Sequence, residues 1–326
     1  MLAATLFVAI LVGYRGPIGP SVSDHMSFGQ AIDGIFGSTS DSWTFWDVRI
    51  PRVALAGLIG AGLACAGTAM QAVFRNSMAD PFIIGVSSGA AVGAASAGLI
   101  GLTAVFGVYA SPLLAFVCAI ITVFVVYKMG TAHGRVYVDT LLLSGVAIAS
   151  FLGAVVSFLI FIARQQFDQL IGWLLGSLPL VTWTQVGIVA LPVIIGVFII
   201  FIYGRELNAL LLGEETAHNL GANPESLKQM MLAVSALMTA AAVAFVGIIG
   251  FVGLIVPHMM RLIVGADHRI LVPASTIFGA IFLIAADTVA RTIITGQELP
   301  VGIITALCGG PFFLYLLRRS RTGGIS

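Results

Sequence analysis

The chain has 326 residues, of which 59% are hydrophobic and only 9% charged, with a net charge of +1. Soluble domains carry about 25% charged residues, so this composition excludes an ordinary globular protein and points to a multi-spanning membrane protein. The near-neutral charge also argues against a nucleic-acid partner.

Only helices and closed barrels satisfy the backbone in lipid, and the long uninterrupted apolar runs favour helices over alternating strands. An all-α integral membrane fold in one domain, residues 1–326, is therefore expected. Read between charges, the apolar runs give about ten segments: 1–13, 52–73, 83–102, 110–128, 138–162, 183–204, 229–249, 250–264, 271–294 and 299–317. The first, MLAATLFVAILVG, lacks a basic leader region and a small-x-small cleavage site, which argues against a signal peptide. It would rise only about 20 Å against a hydrocarbon core of about 30 Å. Either this helix is short and shielded by neighbours, or the natural start lies upstream. Residues 14–51 form the longest connection, with Asp24, Asp33, Asp41 and Asp47. The charge-free stretch from Gln229 to Pro257 is too long for one span, and Gly247, Gly250, Gly253 and Pro257 supply the expected break. Between Gln169 and Pro179, LIGWLLGSL is too short to span. It is either an outer-surface helix or a re-entrant half-helix lining a cavity.

Basic residues set the orientation. With the N-terminus inside, Arg75, Lys128, Arg135, Arg205, Lys228, Arg261, Arg269, Arg318, Arg319 and Arg321 face the cytoplasm. Arg15, Arg49, Arg52, Arg164 and Arg291 remain outside, with residues 14–51 as an outer loop. This bias obeys the positive-inside rule and puts both termini in the cytoplasm.

On that inner face, residues 205–228 form a polar handle, predicted as two short helices. Glu214 and Glu215 suit a helix N-terminus, His218 its last turn and Gly221 a left-handed stop. Asn223 then caps a second helix whose first residue is Pro224. A stiff element hung from one membrane face implies something that grips it.

Other features carry competing readings. Gly85, Gly89, Gly93, Ala97 and Gly101 mark a smooth helix face for close packing. Gly85-Val-Ser87-Ser-Gly89 also matches the G-x-S-x-G nucleophile pattern, which needs a strand-to-helix elbow. His258, beside Pro257 and near Arg261, reads as structural, because a relay or metal site needs a partner absent at helical spacing. Asp287 and Arg291 stand four apart on an apolar segment, either as an intrahelical pair or with Arg291 presenting a positive outer surface. Arg49 and Arg52 are snorkelling anchors or a dock for an acidic external partner. Cys65, Cys118 and Cys308 each lie alone in apolar segments, as packing residues rather than metal ligands or disulfides. No P-loop is present, so any ATP engine is another chain.

RIPRVALAGLIGAGLACAGTAMQAVFRNSMADPFIIGVSSGAAVGA, beginning at Arg49, resembles the signature block of permease subunits of iron-siderophore, haem and cobalamin ABC importers, the FecCD/BtuC type. GWLLGSL, LLGEETAHNLG, GFVGLIVPHMMRLIVGADHR, ADTVART and ELPVGIITALCGGPFFLYLLRR agree in the same order up to Arg319. The resemblance implies a ten-helix permease of type II importer architecture in the cytoplasmic membrane, paired with a second copy. It also implies two ATPase subunits below, which bind ATP and Mg, and an external binding protein above. This chain would then be no enzyme and hold no cofactor or metal.

Residue by residue, the resemblance assigns ATPase coupling to Leu212, Gly213, Glu214, Glu215, Ala217, Leu220 and Gly221. Binding-protein docking falls to Arg49, Arg52 and Arg291, and a cytoplasmic constriction to Asn76, Met78, Val138 and Asp139. Residues 172–178 match an extra half-helix beside the pathway. An iron complex is the leading substrate, with cobalamin the alternative. Two other classes stay open at this point: a membrane hydrolase using Ser87 and His258, and an ion-coupled transporter using Asp287.

Overall fold

A computed structural model describes residues 1–11, 44–162, 167–178, 181–294 and 297–321. Helix α1 spans Leu2–Leu11. A π-helical turn, Thr44–Arg49, leads into α2 (Ile50–Val73), whose Pro51 sits in the first turn, where its missing N–H breaks no helical bond. A 3₁₀ turn at Pro81–Ile84 precedes α3 (Val86–Leu99) and α4 (Ala110–Met129). A small antiparallel hairpin follows, β1 (Thr131–Ala132) and β2 (Arg135–Val136), with Thr131 opposite Val136. His133 and Gly134 turn it with φ of 53° and 77°, the left-handed pair that a tight hairpin requires. Then come α5 (Val138–Ile162), the short α6 (Phe167–Leu174) and α7 (Trp183–Ile202), which opens on a capping box between Thr182 and Gln185. Helices α8 (Gly204–Leu211) and α9 (Glu214–Asn219) form the polar handle. The remaining helices are α10 (Pro224–Val246), α11 (Val252–Val264), α12 (His268–Thr292) and α13 (Val301–Arg321).

Each of the ten expected segments contains a helix, and 138–162 coincides with α5 end to end. Two expectations change. Six described helical stretches are long and apolar enough to cross a membrane, while α3, α11 and α13 are shorter apolar helices and α1 has ten residues. The handle's first helix is α8, ahead of the one expected at Glu214 and Glu215. Pro224 does not open a second short helix. It opens α10, which runs unbroken to Val246 because nothing inside interrupts it and the Lys228 charge is neutralised in place.

The break after α10 falls as predicted at Gly247, with φ of 76°, and ends at Phe251, with φ of 69°. Pro257 is no part of it and lies inside α11. Residues following α6 plug this gap. The Ser177 N–H donates to the Val246 carbonyl at 2.8 Å, and Gly302 N–H donates to Gly176 at 3.1 Å. The short segment is thus tucked between the end of α10 and the start of α13. Arg15, Arg164 and most of the 14–51 connection lie outside the described residues.

Helix α2 is the axle of the fold. Its span is 78% buried within the protein, against 11% for α5. Small residues permit the approach: a Cβ on Gly60 would strike the Gly279 carbonyl of α12, and one on Gly67 the Gly253 carbonyl of α11. The smooth face of α3 packs on α4, where Gly89 lies against the Cys118 carbonyl and Gly93 against that of Leu114. Gly101 drops out of this series, standing in an open turn with φ of 70°. Ser87 sits one residue into a helix that follows a 3₁₀ turn, not on a strand-to-helix elbow. That removes the geometry the hydrolase reading needs.

Gly60→Val forces a branched side chain into the α2–α12 crossing. It should cost roughly 1–3 kcal/mol or more and lower the melting temperature in detergent. Gly172→Ala, a helical site with open space around it, should be neutral or slightly stabilising.

Candidate functional site

The two ends of the molecule hold its polar chemistry. At one end, α8 buries Leu207 and Leu210 and packs on α2 and α12. Asn208 fastens it there. Its amide nitrogen donates to Asp267 Oδ1 at 2.7 Å, and its oxygen accepts from the His268 backbone N–H at 2.8 Å. Asp267 caps α12, and its hydrogen bonds with Arg269 and Asn208 hold its carboxyl well below the usual carboxylate range.

Helix α9 is joined more loosely. Gly213 before it and Gly221 after it have φ of 111° and 87° with nothing close by, conformations that disfavour any side chain. Ala217 is fully buried beneath it. Leu212 and Leu220 are 68% and 66% exposed, so the handle carries an apolar tip. The two acids have different fates: Glu215 faces out, while Glu214 turns inward to Lys228 at 3.1 Å. Asn223 caps α10 as expected, accepting from Ser226 N–H at 3.1 Å.

The four residues expected to form a constriction lie at this same end. Asn76 and Met78 follow α2, with the Asn76 side-chain Oδ1 accepting the Met78 N–H at 2.9 Å, and Val138 and Asp139 open α5. Asn76 and Asp139 are exposed and Met78 and Val138 half-buried.

At the opposite end the three arginines converge, but they are not a surface. Arg49, Arg52 and Arg291 are 1%, 4% and 1% exposed. Arg52 pairs with Asp287 at 2.9 Å and with Glu298 at 2.9 Å, and Arg291 pairs with Asp287 at 3.1 Å. Arg49 donates to the Ile10 carbonyl and Arg291 to that of Ala9, so α1 closes over them. The expectation that Arg291 presents a positive surface is corrected. The intrahelical pair is the observed arrangement, because an unpaired cation buried there would be costly. Asp287 is occupied in this cluster rather than aimed into a cavity, which leaves the ion-coupled reading without its one acid.

Comparison with known proteins decides the family. The model of the FecCD transport family matches residues 1–319. The chain belongs to the FecCD transport family. It is 51% identical over 271 residues to the cobalamin import system permease BtuC of Halobacterium salinarum, covering 83% of this chain and 72% of that one. It is 42% identical over 297 residues to the hemin transport system permease HmuU of Yersinia pestis, covering 87% and 86%. A solved metal-chelate type ABC transporter in an inward-facing conformation superposes with a TM-score of 0.83 at 31% identity, covering 98% and 97%.

Several polar partners of this FecCD chain escape a reading of its sequence. Glu298 sits in a connection and is found only by asking which acids neutralise Arg52. Asn208 looks like an ordinary handle residue until α8 is docked. His258 is half-buried and meets Phe312 edge-on at 6.1 Å, with neither ring nitrogen hydrogen-bonded among the described residues.

Removing one member of the buried ion cluster strands the others. Asp287→Asn should cost about 3–5 kcal/mol and markedly lower the melting temperature, whereas Val289→Ala, on the exposed face of the same helix, should not. A separate pH effect follows from Asp80, which accepts the Phe82 N–H at 2.8 Å. Burial pushes its carboxyl up to about 6. The folded state therefore holds this proton more tightly than the unfolded state, and stability falls as pH rises from the ordinary carboxylate range to about 6. Asp80→Asn keeps the cap and removes the titration. It should melt higher than the parent at neutral pH, with the gap closing near about pH 4.

Proposed function

We propose that this chain is the membrane-spanning permease of an ATP-driven importer for a metal chelate. One observation carries the reading: a FecCD chain with an exposed apolar tip on a hinged helix at one end and a buried arginine cluster at the other. In this reading the chain is a transport subunit with no catalytic role, working as a ten-span type II permease in the cytoplasmic membrane with both termini inside. Two copies pair around a pathway, and the sparsely buried α5 supplies surface for lipid or that partner. The pathway narrows at Asn76, Met78, Val138 and Asp139. ATP and Mg belong to two separate ATPase subunits, which grip α9 through Leu212, Gly213, Glu215, Leu220 and Gly221, with Ala217 and Glu214 seating the helix.

An external binding protein docks at the arginine end. For Arg49 and Arg291 this requires exchanging the α1 carbonyl acceptors for carboxylates, whose two oxygens can take a guanidinium in the bidentate geometry that a single carbonyl cannot. The leading substrate is an iron complex, in line with the relative named for hemin and the metal-chelate neighbour. Cobalamin is the second reading, favoured by the 51% identical relative. Organometallic cargo of either kind suits an apolar pathway without tight side-chain ligation.

The test is reconstitution with the ATPase and binding-protein subunits in sealed proteoliposomes, with labelled ferric siderophore, haem and cobalamin offered separately. Uptake should require ATP and survive collapse of ion gradients. Deleting residues 213–221 should abolish uptake while hydrolysis continues. Steady accumulation by the permease without its ATPase would refute the reading.

A further inference from the structure

The Lys228 ammonium is the meeting point of three separate elements. Its side chain is 1% exposed. It lies 2.6 Å from Glu225 Oε1 on its own helix and 3.1 Å from Glu214 Oε2 on α9, and it donates to the Val136 carbonyl of β2 at 3.2 Å. Three acceptors thus match its three N–H donors. Glu225 has a second task, because its Oε2 accepts the Val136 N–H at 2.8 Å. The Val136 peptide is therefore gripped on both sides, its N–H by Glu225 and its carbonyl by Lys228. Two residues later α5 begins with Val138 and Asp139.

The three bonds differ in how easily they exchange. Val136 and the lysine side chain are buried, whereas Glu214 is 40% exposed and can trade its bond for water. Glu214 is also the first residue of α9, immediately after Gly213 with its open surroundings. The neighbouring α8, by contrast, is tied to α12 through Asn208 and two buried leucines. The handle consequently has a fixed leg, α8, and a hinged leg, α9. Glu214–Lys228 is the charged link between the hinged leg and the hairpin.

The geometry points to Lys228 as a positioning residue that transmits displacement of α9, through the clamped Val136 peptide, to the start of α5 and the constriction there. This rests on the reading of α9 as the element an ATPase moves. Glu214 is then an internal link rather than a contact for the partner, and the partner's grip falls on Glu215, Leu212 and Leu220.

The test uses the complete transporter in proteoliposomes, scoring uptake per ATP hydrolysed with whichever labelled chelate the parent accumulates. Spin labels at Thr216→Cys on α9 and Ala132→Cys on the hairpin, each measured against a label on α12, report motion between nucleotide-free and ATP-bound states. Glu214→Ala and Lys228→Met should each lower uptake per ATP at least about fivefold, the lower end of ordinary coupling factors, and the double variant should be no worse than Lys228→Met. Hydrolysis and subunit assembly should persist, and the α9 label should still shift while the hairpin label stops following it. A purely structural role for Lys228 would leave the hairpin following α9 in Glu214→Ala, and that result overturns the inference. So does an uptake-per-ATP ratio within twofold of the parent in Glu214→Ala, a variant that leaves the buried Glu225–Lys228–Val136 clamp in place should Lys228→Met fail to fold. If deletion of residues 213–221 uncouples transport while Glu214→Ala does not, only the role of Lys228 falls. If that deletion leaves the ratio unchanged, the handle reading falls first and takes the inference with it.

Discussion

Close approach of helix backbones around α2 is the constraint on which the other features depend. Lipid provides no hydrophobic force to drive helices together, so association rests on packing and polar contacts. Gly60 and Gly67 bring α2 against the backbones of α12 and α11. The same helix carries Arg52 at one end and Gln71 near the other, where Gln71 donates to the Leu254 carbonyl and accepts from Arg261. One buried rod thus ties the arginine cluster to the handle end and sets where both can lie.

Charges in this protein follow from the same scarcity of water. Two groups of buried charge stand out among the described residues: Arg52, Asp287, Glu298 and Arg291 at one end, Lys228 with Glu214 and Glu225 at the other. Such clusters define geometry more than they add stability, since desolvation offsets much of the attraction. Their value here is directional. Each joins elements distant in the chain, and each includes one partner more exposed than the rest, Glu298 at 22% and Glu214 at 40%. Those are the bonds that water reaches most easily.

Much was legible without coordinates because local rules were strong. Apolar runs between charges located the helices, and Gly247 marked the break after α10, since its φ of 76° suits glycine alone. The capping of α10 by Asn223 and Pro224 and the stop at Gly221 were read from residue type. The handle's first helix was not, although Leu207, Leu210 and Leu211 stand at i, i+3 and i+4, because eight residues are too short a window for that spacing to decide. The hairpin at residues 131–136 was missed for a related reason: two residues per strand carry no periodicity.

Helix class, multi-pass membrane character and family were settled by the sequence, since they depend on composition, spacing and ordered motifs within single segments. The long-range partners of charged groups were decided by tertiary structure, while Asp287 with Arg291 and Glu225 with Lys228 are neighbours along one helix. Arg52 and Asp287 are 235 residues apart, as Lys228 and Val136 are 92, and no local pattern reports which buried cation meets which acid. The arginines therefore read in the sequence either as paired or anchoring residues or as a positive surface, and the fold makes them a closed ion cluster, because an unpaired buried charge is costly.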